Sequence, residues 1–250
     1  MPDTIAAIRR YPVKSMAGES LASVAVDGRG LQGDRWFAVE DGDGRFASGK
    51  NTQRFRRRDA VFGYRAATTP DGVRVSATGS SWLVGDPALD ARLSAAMGAS
   101  VRVTPETSIP HADDGAVSLV GTATLRWCEN DPGVDADARR LRANLVVETH
   151  EPFVEESWVG REIRVGTVAL RVVSRIERCR TIDVAQDGAA AAHRWLKRLA
   201  ATREMRLAVY AEVVEPGAVS VGDAVAVEQQ LLSASPTTRL TPAAARPSQP

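Results

Sequence analysis

Cys179 lies in the segment IERCRTID, between Arg178 and Arg180, at the end of a long apolar-alternating stretch. Neighbouring cations lower a thiol's pKa and favour the thiolate, which is both a nucleophile and a soft metal ligand. Cys128 follows Trp127 in a helical pattern and lacks such a flanking pair. The competing assignment for Cys179 is a small buried residue, because free cysteines often pack as inert apolar groups. A second constellation is YPVKS, Tyr11 to Ser15, followed by GLQGDRW, Gly30 to Trp36. There Lys14 offers a point charge, Arg35 a planar fork of donors and Ser15 a hydroxyl, a set suited to phosphate or another compact anion. Taken alone, the same residues read more readily as a strand start with a solvated Lys and a surface Arg.

Three further segments carry charge in suggestive patterns. In RRLRANLVV, Arg142 and Asn144 are expected to project from one side of an extended segment, at period two. Arg139 and Arg140 extend that patch. EPFVEESWVG places Glu155 and Glu156 beside Trp158 in a turn, where capping or ion pairing fits better than acid–base work. The run RFRRRD, Arg54 to Asp59, reads as a solvated face or as a docking surface for an acidic partner.

The elements that must position these residues are mostly strands. Asp27-Gly28, Asp41-Gly42, Asp43-Gly44 and Asp71-Gly72 are hairpin-type turn signals between segments of β-branched and aromatic residues. A helix is expected from Pro87 to Met97, capped by Asp86 and Gly98. Residues 99–116 read as a polar connector, and in VSLVGTATLRWCEN a small-residue loop (Gly121, Thr122) leads into a helical start. ANLVVETH and EIRVGTVALRVVSRIERC read as strands, AAAAHRWLKRLAATREM as a helix with Trp195, Leu196 and Leu199 on one face. Two strands around Glu215-Pro216-Gly217 are expected to close the fold. The fold class is mainly β with a few helices (α+β), divided as 1–98, 99–230 and a tail, 231–250, whose Ser, Thr, Pro and Ala composition predicts disorder.

The chain has 250 residues, 44% hydrophobic and 25% charged, with a formal net charge of +1. That balance gives no global attraction to nucleic acid, so any anion site must come from local clustering of Arg and Lys. No window approaches the length of a membrane span, and the first residues do not resemble a secretory signal. With only two cysteines and three histidines, and no CxxC or HExxH, neither a disulfide framework nor a zinc site is expected. A reducing cytoplasm is the simpler setting.

In order along the chain, YPVKSMAGE, GLQGDRWFAV, GRFASGK, GTATL, RRLRANLVV, PFVEESWVG, ERC and EPGAVSVGD resemble the MOSC family in its two-part form. In that form a smaller β-rich N-terminal segment precedes a MOSC-type β-barrel. The likeness is to the mitochondrial amidoxime-reducing component and its bacterial relatives, and it spans about residues 4–228. It implies a molybdenum cofactor, a pterin dithiolene with a phosphate tail, ligated by Cys179. It further implies that Lys14, Ser15, Arg35, Thr122, Arg142, Asn144 and Arg178 bind that cofactor. A family-level association with pyridoxal phosphate comes with the same resemblance. Two departures stand out: Arg140-Leu141-Arg142-Ala143-Asn144 replaces RFRPN, losing a proline that pre-sets the loop. Arg180-Thr181-Ile182-Asp183 replaces a small or apolar run, and its extra cation is expected to tighten binding of an anion or to alter which substrate reaches the metal.

The implied activity is a molybdenum-dependent oxidoreductase acting on a small N-oxygenated substrate (an amidoxime, hydroxylamine or N-oxide). Its electrons would come from a separate flavin, haem or iron–sulfur protein, because two cysteines are too few for a cluster of its own. Arg54 to Arg58 is the expected docking surface for that donor. A second reading, from another functional class, is a sulfur-transfer or cofactor-carrier protein that uses Cys179 as a persulfide or cofactor ligand. A third is a scaffold that binds an anion and catalyses nothing.

Overall fold

The computed structural model describes residues 2–130, 137–191 and 195–228. The expected disorder of the tail at 231–250 falls outside them.

The chain starts with β1 (Asp3–Arg10), β2 (Glu19–Leu21), β3 (Ser23–Asp27) and β4 (Gly30–Leu31). Next come β5 (Phe37–Asp41), β6 (Phe46–Ser48), β7 (Phe55–Arg57) and a 3-10 turn at Asp59–Gly63. The meander β8 (Arg65–Thr69), β9 (Gly72–Ala77), β10 (Ser80–Leu83) leads into α1 (Pro87–Met97) and β11 (Val101–Pro105). The second half opens with β12 (Val117–Gly121), α2 (Thr122–Glu129), α3 (Ala138–Leu141) and β13 (Leu145–Glu148). After a 3-10 turn at Val154–Trp158 follow β14 (Glu162–Val165) and β15 (Val168–Glu177). A 3-10 turn at Arg180–Asp183, α4 (Trp195–Arg203), β16 (Arg206–Glu215), β17 (Gly217–Ser220) and β18 (Ala224–Val227) complete it.

The largest sheet runs β13-β12-β16-β15-β14-β18-β1-β2, and β1 also pairs with β13, so the sheet closes into a barrel. The closing strand is the first of the chain: Thr4 to Ile8 face Glu148 to Leu145 on one side, and Asp3 and Thr4 face Val225 and Ala224 on the other. Ile5, Ile8, Leu119, Leu145, Ile163, Leu170 and Val209 fill the interior. β12 and β13 are buried on both faces. Leu145 and Val147 point into the barrel, while Val146 and Val120 join the layer of Leu125, Trp195 and Leu199 from the helices outside. Continuous apolar runs are what two-sided burial requires.

The first half has its own core. Val13, Met16, Val39, Phe62 and Tyr64 pack with Leu89 and Leu93 of α1. α1 occupies the span expected of it: Asp86 accepts a hydrogen bond from the Ala88 N–H, and Gly98 takes the left-handed turn at φ 63°. Two expectations change. The stretch 99–116 is not all connector, because Val101 and Val103 alternate toward the core and pair β11 antiparallel to β5. The closing segment holds three strands instead of two, since β17 leaves the barrel to pair with β3.

Candidate functional site

β15 delivers Arg178 and Cys179 to one end of the barrel, where the loops of the first half cover it. Between them lies a cavity of about 110 Å³. Lys14, Ser15, Arg35, Ser48, Lys50 and Asp113 line it from the first half. Ser118, Arg140, Arg142, Arg178, Cys179, Thr181 and Tyr210 line it from the second.

The segment after β1 turns inward because Tyr11 is fully buried and its N–H is held by Asp34 at 2.7 Å. The Tyr11 ring serves as a plate for cations: the guanidinium carbons of Arg142 and Arg35 lie 4.2 and 5.1 Å from its centroid. Arg35 pairs with Asp34 and donates to Asn144 Oδ1 at 3.3 Å and to the Arg142 carbonyl at 3.2 Å. Arg142 donates to the Met16 carbonyl at 2.8 Å. Ser15, Arg35 and Arg142 all adopt positive φ, at 68°, 53° and 52°. Non-glycine residues in that region carry backbone strain, and three of them meeting at one cavity mark a place where position outweighs comfort.

The electrostatics are lopsided. Burial pulls Lys14 down to about 8, with the Arg35 and Arg54 charges adding to it and Asp113, at 3.1 Å, opposing. Burial lowers Arg142 to about 10 and also lowers Arg178. For Arg35 burial acts in the same direction, but the Asp34 and Asp113 carboxylates outweigh it and raise the group. Burial alone would raise Asp113; Lys14, Arg35 and Lys50 outweigh it and hold the carboxyl below its ordinary range. Tyr210 is pushed up to about 12 by burial and then by Asp113, so it stays a neutral donor. Arg178 donates to the carbonyls of Leu207 and Leu141 at 2.8 and 2.9 Å, while its Nη2 is buried without a partner. A cavity wall this cationic, with a donor left over, has the chemistry to hold an anion.

Six of the sequence-predicted residues, Lys14, Ser15, Arg35, Arg142, Arg178 and Cys179, therefore meet on this cavity. Asn144 stands behind the wall, fully buried, accepting from Ser118 Oγ at 2.9 Å and donating to the Arg9 carbonyl at 3.3 Å. Thr122 is at the far end of β12, where its hydroxyl accepts from the Thr149 N–H at 3.0 Å; it does not line the cavity. Arg142 and Asn144 do not share an extended strand. Arg142 is the left-handed cap of α3, and the chain straightens only at Leu145.

Two charge expectations are corrected. Arg180 points away from the cavity and forms a two-pronged pair with Asp59, at 2.6 and 2.8 Å, so only Arg178 of the flanking cations faces the site. The Arg54–Arg58 run is not a free basic surface. Arg56 pairs with Asp43, Arg57 with Asp59 and Arg58 with Asp41. Arg54 donates to the carbonyls of Pro110 and Ala112, which anchors the loop that carries Asp113. Glu156 pairs with Arg175 and Arg203, and the buried Glu155, raised by burial, accepts from Thr124 Oγ1. Sequence reading missed Asp113, Ser118 and Tyr210. The Asp113-Asp114 pair in a proline-flanked connector was a visible signal, but nothing local ties it to Lys14.

Among the described residues no group of His, Cys, Asp and Glu is arranged to hold a metal by itself, and no helix is long and apolar enough to cross a membrane. Residues 3–116 match the MOSC N-terminal beta barrel domain and residues 106–226 match the MOSC domain. Among solved structures, the YuaD protein from Bacillus subtilis aligns at 13% identity and a TM-score of 0.45, over 91% of this chain and 96% of that one. YiiM from Escherichia coli aligns at 12% identity and a TM-score of 0.42, over 92% and 70%. No curated protein matches the sequence. With the two domain matches adjoining across the described fold, the chain belongs to the MOSC family, as a MOSC N-terminal β-barrel domain followed by a MOSC domain.

Proposed function

We propose that the cavity binds a molybdenum cofactor and that the protein is an oxidoreductase that removes oxygen from small N-hydroxylated or N-oxide substrates. The observation that carries this reading is a part-exposed thiol, Cys179, opening onto a cavity with a surplus of buried cations and an unpartnered Arg178 Nη2. That donor set suits an anionic group with a soft-metal end: Cys179 as thiolate ligand, and Lys14, Arg35, Arg142 and Arg178 around the anionic portion. When bound, the cofactor supplies oxygen-atom transfer. The chain's own residues do the rest. Arg35 and Arg142, stacked on Tyr11, fix the position of negative charge, and Ser15, Ser118 and Tyr210 offer neutral donors at the wall.

Removing the oxygen from an N-hydroxylated substrate takes two electrons and two protons and releases water. The electrons are assigned to a separate donor protein, because the chain's two cysteines are too few to hold an iron–sulfur cluster. With Arg56, Arg57 and Arg58 paired to carboxylates, the donor's docking surface is not placed on that run.

The test is bound molybdenum per chain after expression in a host that makes the cofactor. Near-stoichiometric metal in the wild type and a large loss in Cys179→Ala is the expected result. Equal metal in both proteins removes Cys179 from the ligand role. No metal in the wild type overturns the oxidoreductase reading and turns attention to a persulfide at Cys179.

A further inference from the structure

Residues 106–114 cross from β11 to β12 and carry Asp113 onto the cavity wall. Among the described residues, no backbone-to-backbone hydrogen bond reaches 107–115; side chains hold the segment in place. Glu106 pairs with Arg29 at 2.5 Å and accepts from the His111 N–H at 2.6 Å. Arg54 donates to the Pro110 and Ala112 carbonyls, and Asp113 meets Lys14 at 3.1 Å. At the far end, a Cβ on Gly115 would stand 2.6 Å from the Tyr210 side chain. Of residues 106–116 only His111 is buried, at 1% exposure. Its ring meets Phe46 edge-on, with centroids 4.7 Å apart, where Phe46 packs with Ala38 and Phe55. Its Nδ1 is buried without a partner.

We propose that residues 106–114 form a lid over the cavity, pegged shut by the neutral His111 ring and released when that ring takes up a proton. Protonation puts a charge and an added N–H on a buried ring that has no acceptor at Nδ1. In the open form water serves that donor, so the proton favours opening. The groups facing the ring are Glu106 on the lid, Arg29 and the Arg35 backbone on either side of β4, and Lys14 after β1. Burial, with Lys14 and Arg29, outweighs Glu106 and the Arg35 backbone, and the ring titrates below its ordinary 6.5. The closed lid therefore has its full stability above about 6.5 and loses it as the pH falls further. Opening lifts Asp113 off Lys14 and uncovers the cations around it. The peg governs entry to the cavity whichever anion the cavity takes.

The experiment is amide hydrogen exchange of the full chain at pH 7 and pH 5.5, read by mass spectrometry and corrected for the intrinsic pH dependence of exchange. Lys14 is charged throughout that window, which also lies above the range where ordinary carboxylates titrate. The wild-type lid is expected to exchange roughly three- to tenfold faster at pH 5.5, the scale of one pH unit below an ordinary imidazole. Strands β12 and β15 are expected to stay unchanged, which separates lid opening from general acid loosening. His111→Phe keeps a ring against Phe46 but cannot titrate, and its corrected lid rate is expected to be the same at both pH values. His111→Gln serves the same purpose should the Phe variant fail to fold. Equal corrected rates in the wild type overturn the proposal, whatever the variants do. So does an acceleration in His111→Phe or His111→Gln that matches the wild type. The readout needs no cofactor, so a failed metal-loading experiment and a failed lid experiment are told apart.

Discussion

Lys14 sits 5% exposed beneath the loop that carries Asp113, and burial takes its ammonium to about 8 from an ordinary 10.5. The folded value lies below the unfolded one, so between about 8 and 10.5 the unfolded chain holds the extra proton. Stability from this group is therefore fully present above 10.5, and is lost as the pH falls through about 8. Anion binding runs the other way, because only the charged form attracts. Sulfate, which does not titrate in this range, is expected to bind roughly tenfold more weakly as pH rises through that value, while Lys14→Met binds weakly throughout without the step. Calorimetric titration across the range checks it; a wild-type profile without a step would separate Lys14 from the anion site. Lys14, Arg35 and Cys179 could be picked out only because the motif order was added to their charge and thiol chemistry; their types and neighbours alone favoured a solvated or inert role. Tyr11 was not weighed as a platform and Asp113 was read as part of a turn. Their roles depend on approaches across 131 residues for Tyr11 and Arg142, and 99 for Lys14 and Asp113, which no local pattern encodes.

Among the elements, α1 shows what sequence reads well: cap, first-turn proline and terminal glycine are all adjacent in the chain, so its boundaries at Pro87 and Met97 follow from short-range chemistry. α4 shows the opposite case. Its first described N–H groups, at Trp195 and Leu196, are held by Asp183, at 3.0 and 3.3 Å, a residue on the turn that follows Cys179. This carboxylate ties the cysteine turn to the helix that packs Trp195 and Leu199 against the barrel exterior. Asp183→Ala is expected to cost about 1 kcal/mol, the usual price of a lost helix cap. In urea this appears as a lower midpoint at unchanged slope; an unchanged midpoint would mean that solvent serves those N–H groups equally well. The left-handed Arg142 was likewise invisible in advance, because a left-handed helix end is usually signalled by Gly or Asn and RLRAN places an arginine there.

At the scale of the molecule, mainly β character and the two-part order could be read from turn spacing and motif order, but the closure of the barrel could not. β1 fills the gap between β13 and β18, and β3 pairs with β17, so each half depends on strands from the other. A fragment of residues 99–228 lacks β1 and leaves β13 and β18 with open edges. It is expected to show no cooperative unfolding transition, and to regain one when a peptide of residues 1–27 is added; circular dichroism during urea titration checks both. A cooperative transition in the fragment alone would show that the barrel closes without its first strand. The same arrangement bears on how the chain is made. The ribosome releases β1 first, its neighbour β13 more than a hundred residues later, and β18 near the end of the described chain. Ile5 and Ile8 must wait until β13 and β18 have been made without the strands that bury them, and that exposed interval invites chaperone holding. The barrel can be sealed only once β18 has emerged, so the cavity that depends on it is assembled after both halves are made.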